Sequence, residues 1–332
     1  MPRHPRPIGS PVLDSIRPVI ESSRHVRSNE ARIGEVARWM AYEELPRPDF
    51  GLPAAGAASR DDAIDFTFTQ LCVNTAFTDF QTGAKFEIQI EGQRLSDSIA
   101  MIACLKQALD RGVPILDGAF LAQVTRGELA GIFAGNIEMP MLDEKVAVLN
   151  EVGATLAARH RGRFHRFLAT CSPRLYDGGR GLVERLVTEF PRFDDVSPYR
   201  GHVVRIYKLA QLLYWMLHCG LQRQGGFRID DLASMTAFAD YIVPAALRVL
   251  DVLVYDDRLE RRILAGEEVA RDSEEEVEIR AHTLHATALL TEEINARRPP
   301  ERQVVIPQID ARLWVNYHAT HWPHHLTRTI MY

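Results

Sequence analysis

The sequence predicts a mostly α-helical globular fold, built of many helices with one small β-hairpin inserted among them. Three observations carry this. Apolar residues return every three or four positions over long stretches, polar caps and glycine or proline stops bracket those stretches, and one segment, "KFEIQIEGQRL", alternates apolar with polar residues.

Taken in order, "VLDSIRPVIESSRHVRSNEARIGEVARWMAYEE" follows a proline-rich start and reads as two helices. "GLPAAGAASRDD" reads as a loop, because its Gly, Ala and Ser offer no apolar period. A helix is expected over 62–76. Phe86, Ile88 and Ile90 then share one face of a strand that turns at Glu91-Gly92, the one clear β element. "SDSIAMIACLKQALDRGVP" opens on a polar cap, aligns Ile99, Ile102, Leu105 and Leu109, and stops at Gly112 and Pro114. The same grammar predicts helices near 143–160, 180–189, 203–219, 231–239, 241–253, 256–264, 275–297 and 309–319. The strongest linker signal is "CSPRLYDGGRG" at 171–181, yet helices of unchanged composition continue on both sides. Residues 1–332 are therefore read as a single domain, with two lobes of about 1–170 and 171–332 as the alternative.

The hydrophobic share of 46% and charged share of 25% are those of a soluble globular protein. A formal charge of -5 argues against an extended basic surface for polymeric nucleic acid and leaves room for a small anionic ligand. Cys72, Cys104, Cys171 and Cys219 lie far apart with no C-x-x-C pair, which fits a reducing cytoplasm and neither a disulfide framework nor a thiolate zinc site. No apolar run approaches bilayer length, and the arginine-bearing N-terminus lacks the apolar core of a secretory signal. Of 39 basic residues only Lys85, Lys106, Lys145 and Lys208 are lysine, so each lysine draws attention.

Asp240, in "FADYIVPAALRVL", stands directly before an apolar run and has two readings that do not exclude each other. It caps a helix whose first turn tolerates Pro244, or it is a carboxylate oriented by unpaired backbone N–H groups to stabilise a developing sugar cation and position a water. Asp231, nine residues earlier, caps the preceding segment or adds a second carboxylate. Upstream, "HVVRIYKLAQLLYWMLH" places Tyr207, Gln211, Tyr214 and His218 on one stripe with Lys208 beside it. That stripe is an amphipathic helix face, or a pocket wall whose lysine binds a phosphate or carboxylate. The tail clusters His318, His321, His324 and His325, and His282 and His285 form an H-x-x-H. Pro323 interrupts the cluster and H-E-x-x-H is absent, so no metal is expected. "GGRG" at 178–181 lacks a phosphate-loop context and reads as a turn.

The segments "LCVNTAFTDF" (71–80), "MPMLDEKVAVLNEVG" (139–153), "FPRFDDVSPYRGHVVRIYKLAQLL" (190–213), "DLASMTAFADYIVPAAL" (231–247), "EVEIRAHTLHA" (276–286) and "PHHLTRTIMY" (323–332) together resemble, in order and spacing, the queuosine salvage protein family. These are the queuosine 5'-phosphate N-glycosylase/hydrolases, and the likeness runs over most of the chain. Lys208, Asp231, Asp240 and Tyr241 match the family pattern. Ile242 and Ala245 stand where the family usually has Arg and Gln, and Leu209 where Y-K-R-A-Q has Arg. The Asp-Tyr element is also similar to one in helix-hairpin-helix DNA glycosylases, which implies glycosylase-like catalytic helices; such a likeness does not by itself decide function.

The resemblance implies release of queuine from queuosine 5'-monophosphate without a cofactor, the base being reused in tRNA modification. Queuine is a 7-deazapurine, so the N7 that many purine hydrolases protonate is missing, and the burden shifts toward the ribosyl cation. Asp240 is expected to stabilise it and activate water, with Asp231 in the same pocket and Tyr241 at the site. Lys208, then Arg328 or His325, are candidates for the 5'-phosphate. Asn74, Phe77 and Asp79 supply the amide, aromatic wall and acid that a planar base with a cationic arm calls for. Two other classes stay open: a metal-dependent hydrolase using the tail histidines, and a non-enzymatic queuosine binder. Direct tRNA binding is not expected of so acidic a chain.

Overall fold

A computed structural model describes residues 3–4, 9–49, 59–318, 320 and 322–332, and these are mostly helical. Most of the expected loop "GLPAAGAASRDD", and His321 of the tail cluster, lie outside the described residues.

The chain opens with α1 (Pro11–Ser15) and α2 (Arg17–Ser22), two short helices separated at Ile16, since Pro18 in the first turn of α2 has no N–H to donate to the preceding turn. Then come β1 (Val26–Ser28) and α3 (Glu30–Met40), the latter capped by the Asn29 side chain on the Arg32 amide. Ser59 likewise caps α4 (Arg60–Cys72). The expected hairpin forms as β2 (Glu87–Ile90) and β3 (Gln93–Ser96), closed by Glu91 and Gly92 at φ of 50° and 80°, the left-handed pair that a two-residue hairpin turn requires. The next helices are α5 (Asp97–Asp110), α6 (Gly118–Leu121), α7 (Arg126–Ile132), α8 (Leu142–Arg159), α9 (Phe164–Leu168) and α10 (Leu182–Glu189). After β4 (Val196–Tyr199) and β5 (His202–Arg205) come α11 (Lys208–Gly220), α12 (Ile242–Val249), β6 (Leu253–Tyr255), α13 (Asp257–Leu264), α14 (Glu274–Asn295) and α15 (Ile306–Tyr317).

Three expectations are corrected. The hairpin at 87–96 is not the only β element, since β4 pairs with β5 around Arg200-Gly201 and β1 pairs antiparallel with β6, more than 220 residues away. The helix expected over 203–219 begins at Lys208, because His202–Arg205 forms strand β5, paired with β4, and Tyr207 is left-handed at φ 51°. Over 231–239 only a 3-10 turn forms, at Leu232–Ser234. Residues 235–239 form no helix because other elements take their amides: Gln211 Oε1 accepts the Thr236 N–H at 2.9 Å and Asp310 Oδ2 the Phe238 N–H at 2.8 Å. A local periodicity cannot register partners 25 and 72 residues away.

One apolar cluster draws on α4, α5, α8, α10 and α11 and reaches Val277, Ala281 and Leu284 of α14. A second joins Ile33 and Val36 of α3 to Val243 and Leu247 of α12, Leu289 and Leu290 of α14, and Ile309 and Leu313 of α15. Helix α14 is thus enclosed on several sides. Its polar residues must find partners or stay uncharged. Glu278 accepts the amides of Arg24, His25 and Val26 and the Tyr199 hydroxyl, while His282 is held by the hydroxyls of Ser28 and Ser23, each at 2.9 Å.

Burial pushes His282 down to about 3, His285 to about 4 and, in the tail, His325 to about 3. Unfolded, these rings take a proton near pH 6.5. Their contribution is therefore complete above that pH and is lost as pH falls toward the folded values, at most about 2 kcal/mol per ring by pH 5. Melting temperature should drop clearly between pH 7 and pH 5. A flat profile over that interval would contradict neutral burial.

Candidate active site

Four elements bring charged side chains together: the start of α11, the segment entering α12, and the buried faces of α14 and α15. Asp240 lies just ahead of α12, and its Oδ1 accepts the N–H groups of Ile242 at 2.8 Å and Val243 at 3.1 Å. This is the capping geometry expected of it, and it fixes the direction of the carboxylate. Lys208 opens α11, and Asp310 lies within α15. Asp240, Lys208 and Asp310 are 7%, 6% and 4% exposed, so their charges act on one another through little water.

Burial lowers the Lys208 ammonium, opposed by the attraction of Asp240 and Asp310. Asp310 is pushed up to about 7, first by burial and then by the Asp240 charge. Arg280, on α14, holds the two segments in register. It pairs with Asp195 through two contacts of 3.0 and 2.6 Å, and its Nε donates to the Ala239 carbonyl at 3.0 Å, one residue before Asp240. Asp195 in turn accepts the Lys208 backbone N–H at 3.3 Å. A buried Arg–carboxylate pair satisfied in this way is rigid, and removing one partner strands the other charge. Tyr332 lies under the Arg280 guanidinium at 4.2 Å, and its hydroxyl donates to Glu276 at 3.0 Å, so the tail closes over the same network.

On the other side of Asp240, Tyr241 stacks on His324 with ring centroids 4.4 Å apart. Burial, then Asp97 and Asp240, raises the Tyr241 phenol. Asp97 bonds Lys85 at 2.9 Å and approaches His318 at 3.5 Å through Oδ2, while its buried Oδ1 has no partner among the described residues. Asp97 also adopts φ 55°, a left-handed conformation uncommon for Asp. The arrangement offers a carboxylate fixed by two amides, a buried ammonium and a second carboxyl, Asp310, that both feel its charge, and an aromatic stack. Such a set suits a reaction in which positive charge develops on a bound sugar.

Residues 55–332 match the family model described as queuosine salvage protein. A protein of Sphaerobacter thermophilus named queuosine 5'-phosphate N-glycosylase/hydrolase is 34% identical over 97% of each chain. The chain belongs to the queuosine salvage protein family. Proteins with the same name in Mus musculus and Schizosaccharomyces pombe are 27% and 28% identical, over 96% and 84% of this chain and 98% and 79% of their own.

Among the site residues expected from this queuosine salvage sequence, Asp240, Lys208 and Tyr241 come together. Asp231 instead gives both oxygens to the 175–176 loop, accepting from the Leu175 N–H at 2.6 Å and the Tyr176 N–H at 3.2 Å. Asp79 Oδ1 accepts from the Gln81 and Thr82 amides and the Thr82 hydroxyl, the work of a turn cap. His325 is buried, with Nε2 3.3 Å from the Tyr332 hydroxyl, and Arg328 covers the Phe80 ring at 4.2 Å. The polar stripe of α11 binds neighbours: Gln211 holds Thr236, Tyr214 donates to the Leu182 carbonyl at 2.8 Å, and His218 Nδ1 donates to the Phe227 carbonyl at 2.7 Å. Among the described residues no three His, Cys, Asp or Glu side chains converge as a metal site.

Asn74 and Phe77 ride on a turn whose Ala76 is left-handed at φ 47°. Lys145 secures it, its ammonium donating to the carbonyls of Thr75 at 2.7 Å, Ala76 at 3.2 Å and Pro140 at 2.6 Å. Burial and then Arg192 pull this amine down to about 7. Exchange of Lys145 for Met leaves three acceptors without their donor, and roughly 2–5 kcal/mol of stability should go with it. Urea unfolding measures this, and an unchanged midpoint would remove Lys145 from that role. Sequence reasoning passed over Asp195, Glu276, Arg280, Asp310, Asp97 and Lys145 as site residues. The signal was present in "EVEIRAHTLHA", where charges at alternate positions of a helix point to several faces at once and so require buried partners.

Proposed function

We infer that this chain hydrolyses the N-glycosidic bond of queuosine 5'-phosphate and releases queuine. The observation that carries the inference is the near full-length match to relatives of that name, met in the structure by a buried Asp240 that is aimed by two amides and acts electrostatically on the buried Lys208. Asp240 faces the ribosyl cation as the bond to the base lengthens and takes a proton from the attacking water, while Tyr241 and His324 form an aromatic wall. The bonding electron pair leaves with the base, which takes up a proton from solvent, so that ribose 5-phosphate and queuine result. Lys208 balances the Asp240 charge before the cation forms. We assign Asp231 to positioning the 175–176 loop against the segment that leads to Asp240. Asn74 and Phe77 are taken as contacts to the base, and Arg328 as the cation available to the 5'-phosphate, since a neutral His325 brings no charge. Asp79 supports the turn that follows them.

Incubation of purified protein with queuosine 5'-monophosphate, followed by chromatography for free queuine, tests the reading. Release is expected. A folded protein that binds the nucleotide and releases nothing is a binder, and release that stops in chelator and returns with a divalent metal is the metal-dependent alternative. We place the protein in the cytoplasm, from its four free cysteines and from the absence, among described residues, of any helix long and apolar enough to cross a membrane. Direct contact with tRNA is not part of this reading, given the formal charge of -5. Residues 1–332 act as one domain in it, with the larger apolar cluster drawing on both halves of the chain.

A further inference from the structure

Asp310 occupies a helix face that is otherwise apolar. Its neighbours Ile309 and Leu313 pack in one cluster with Val243 and Leu247 of α12 and Leu289 and Leu290 of α14. A carboxyl on such a face costs several kcal/mol unless something compensates it, and Asp310 has no ion pair within salt-bridge distance among the described residues. What it has is one hydrogen bond, from the Phe238 N–H to Oδ2 at 2.8 Å. Phe238 stands two residues before Asp240, in the stretch that the sequence pattern would make helical and the structure does not. The charged groups facing Asp310 are Asp240, from the segment ahead of α12, and Lys208, from α11. From α14 the cluster receives Leu289 and Leu290, which are apolar.

We propose that Asp310 is a positioning residue for Asp240: it anchors residues 238–240 through the Phe238 amide and leaves the Lys208 ammonium to Asp240 alone. This rests on the reading of Asp240 as the catalytic carboxylate. The second half of the role depends on protonation. Burial and the Asp240 charge push Asp310 up to about 7, so in mildly acidic solution it carries a proton and the site holds one carboxylate for one ammonium. As pH rises through that value Asp310 ionises and places a second negative charge within reach of Asp240 and Lys208. Turnover should fall on that side.

Two variants test this by their kcat against pH, measured as queuine release between pH 5.5 and 9. Asp310→Asn keeps an oxygen for the Phe238 amide and has no proton to lose, so it should cost about fivefold in kcat at pH 6 and lose the alkaline decline seen in the parent. Asp310→Leu has neither the acceptor nor the proton, and should cost at least about tenfold more than Asp310→Asn, with most of the loss in kcat rather than KM. A parental alkaline decline in Asp310→Asn, a parent with no decline, or an Asn variant no better than the Leu variant each overturns the proposal. If Asp310→Leu does not fold, the pH profile of Asp310→Asn decides alone. Asp240→Asn run alongside separates the two readings. Full activity there removes the catalytic assignment, whereas loss of activity there with a parental profile in Asp310→Asn removes only the role of Asp310.

Discussion

Exchange of Asp240 for asparagine should stop most turnover and leave the fold standing. The amide oxygen of Asn can still accept the Ile242 and Val243 amides that now bind Oδ1, so the cap on α12 survives and the melting temperature should move by only a few degrees. What goes is the charge. A neutral amide neither stabilises a ribosyl cation nor takes a proton from water, and the expected loss in kcat is roughly 10²–10⁴-fold. The measurement is steady-state release of queuine by a variant whose circular dichroism matches the parent. Near-parental release would take Asp240 out of the chemistry and leave it as a cap.

The second large effect belongs to Lys208. As a sequence feature it is a cation free to meet a 5'-phosphate; in the fold its electrostatic neighbours are the carboxyls of Asp240 and Asp310. Lys208→Met keeps the length and apolar character of the stem and deletes the ammonium, so Asp240 keeps its two amides and loses the attraction of a buried cation. Loss of an ammonium whose charge acts on Asp240 should depress kcat/KM by roughly a hundredfold. The expected loss is similar for queuosine 5'-monophosphate and for the nucleoside. A loss confined to the monophosphate would move Lys208 to phosphate recognition, and an unaffected variant would remove it from the site.

Both residues were legible in the sequence for local reasons. A carboxylate before an apolar run announces a helix start whatever the rest of the chain does. Lysine is conspicuous in a chain that otherwise writes arginine, and three of the four lysines are tied into the fold: Lys145 in its cage of carbonyls, Lys85 on Asp97, and Lys208 buried within the electrostatic reach of Asp240 and Asp310. The hairpin at 87–96 was legible because a two-residue turn and an alternating strand are contiguous. In contrast, β1 and β6 pair across most of the chain, and neither Val26–Ser28 nor Leu253–Tyr255 is long enough to show a period.

The site divides along the same line. Periodicity, caps and turn residues act within one or two helical turns, so the sequence by itself determined most of the long helices, the hairpin and the capped position of Asp240. The resemblance carried by its ordered segments pointed to the reaction class. Only the tertiary structure decided what surrounds that carboxylate. Residues 235–239 stay out of a helix because Gln211 and Asp310 take their amides, Arg280 binds Asp195 and Ala239 from a third helix, and the polar stripe of α11 turns to neighbours rather than to a ligand. The physical reason is that a buried charge or amide is satisfied by whichever group the fold brings within about 3 Å, and sequence distance has no bearing on that choice.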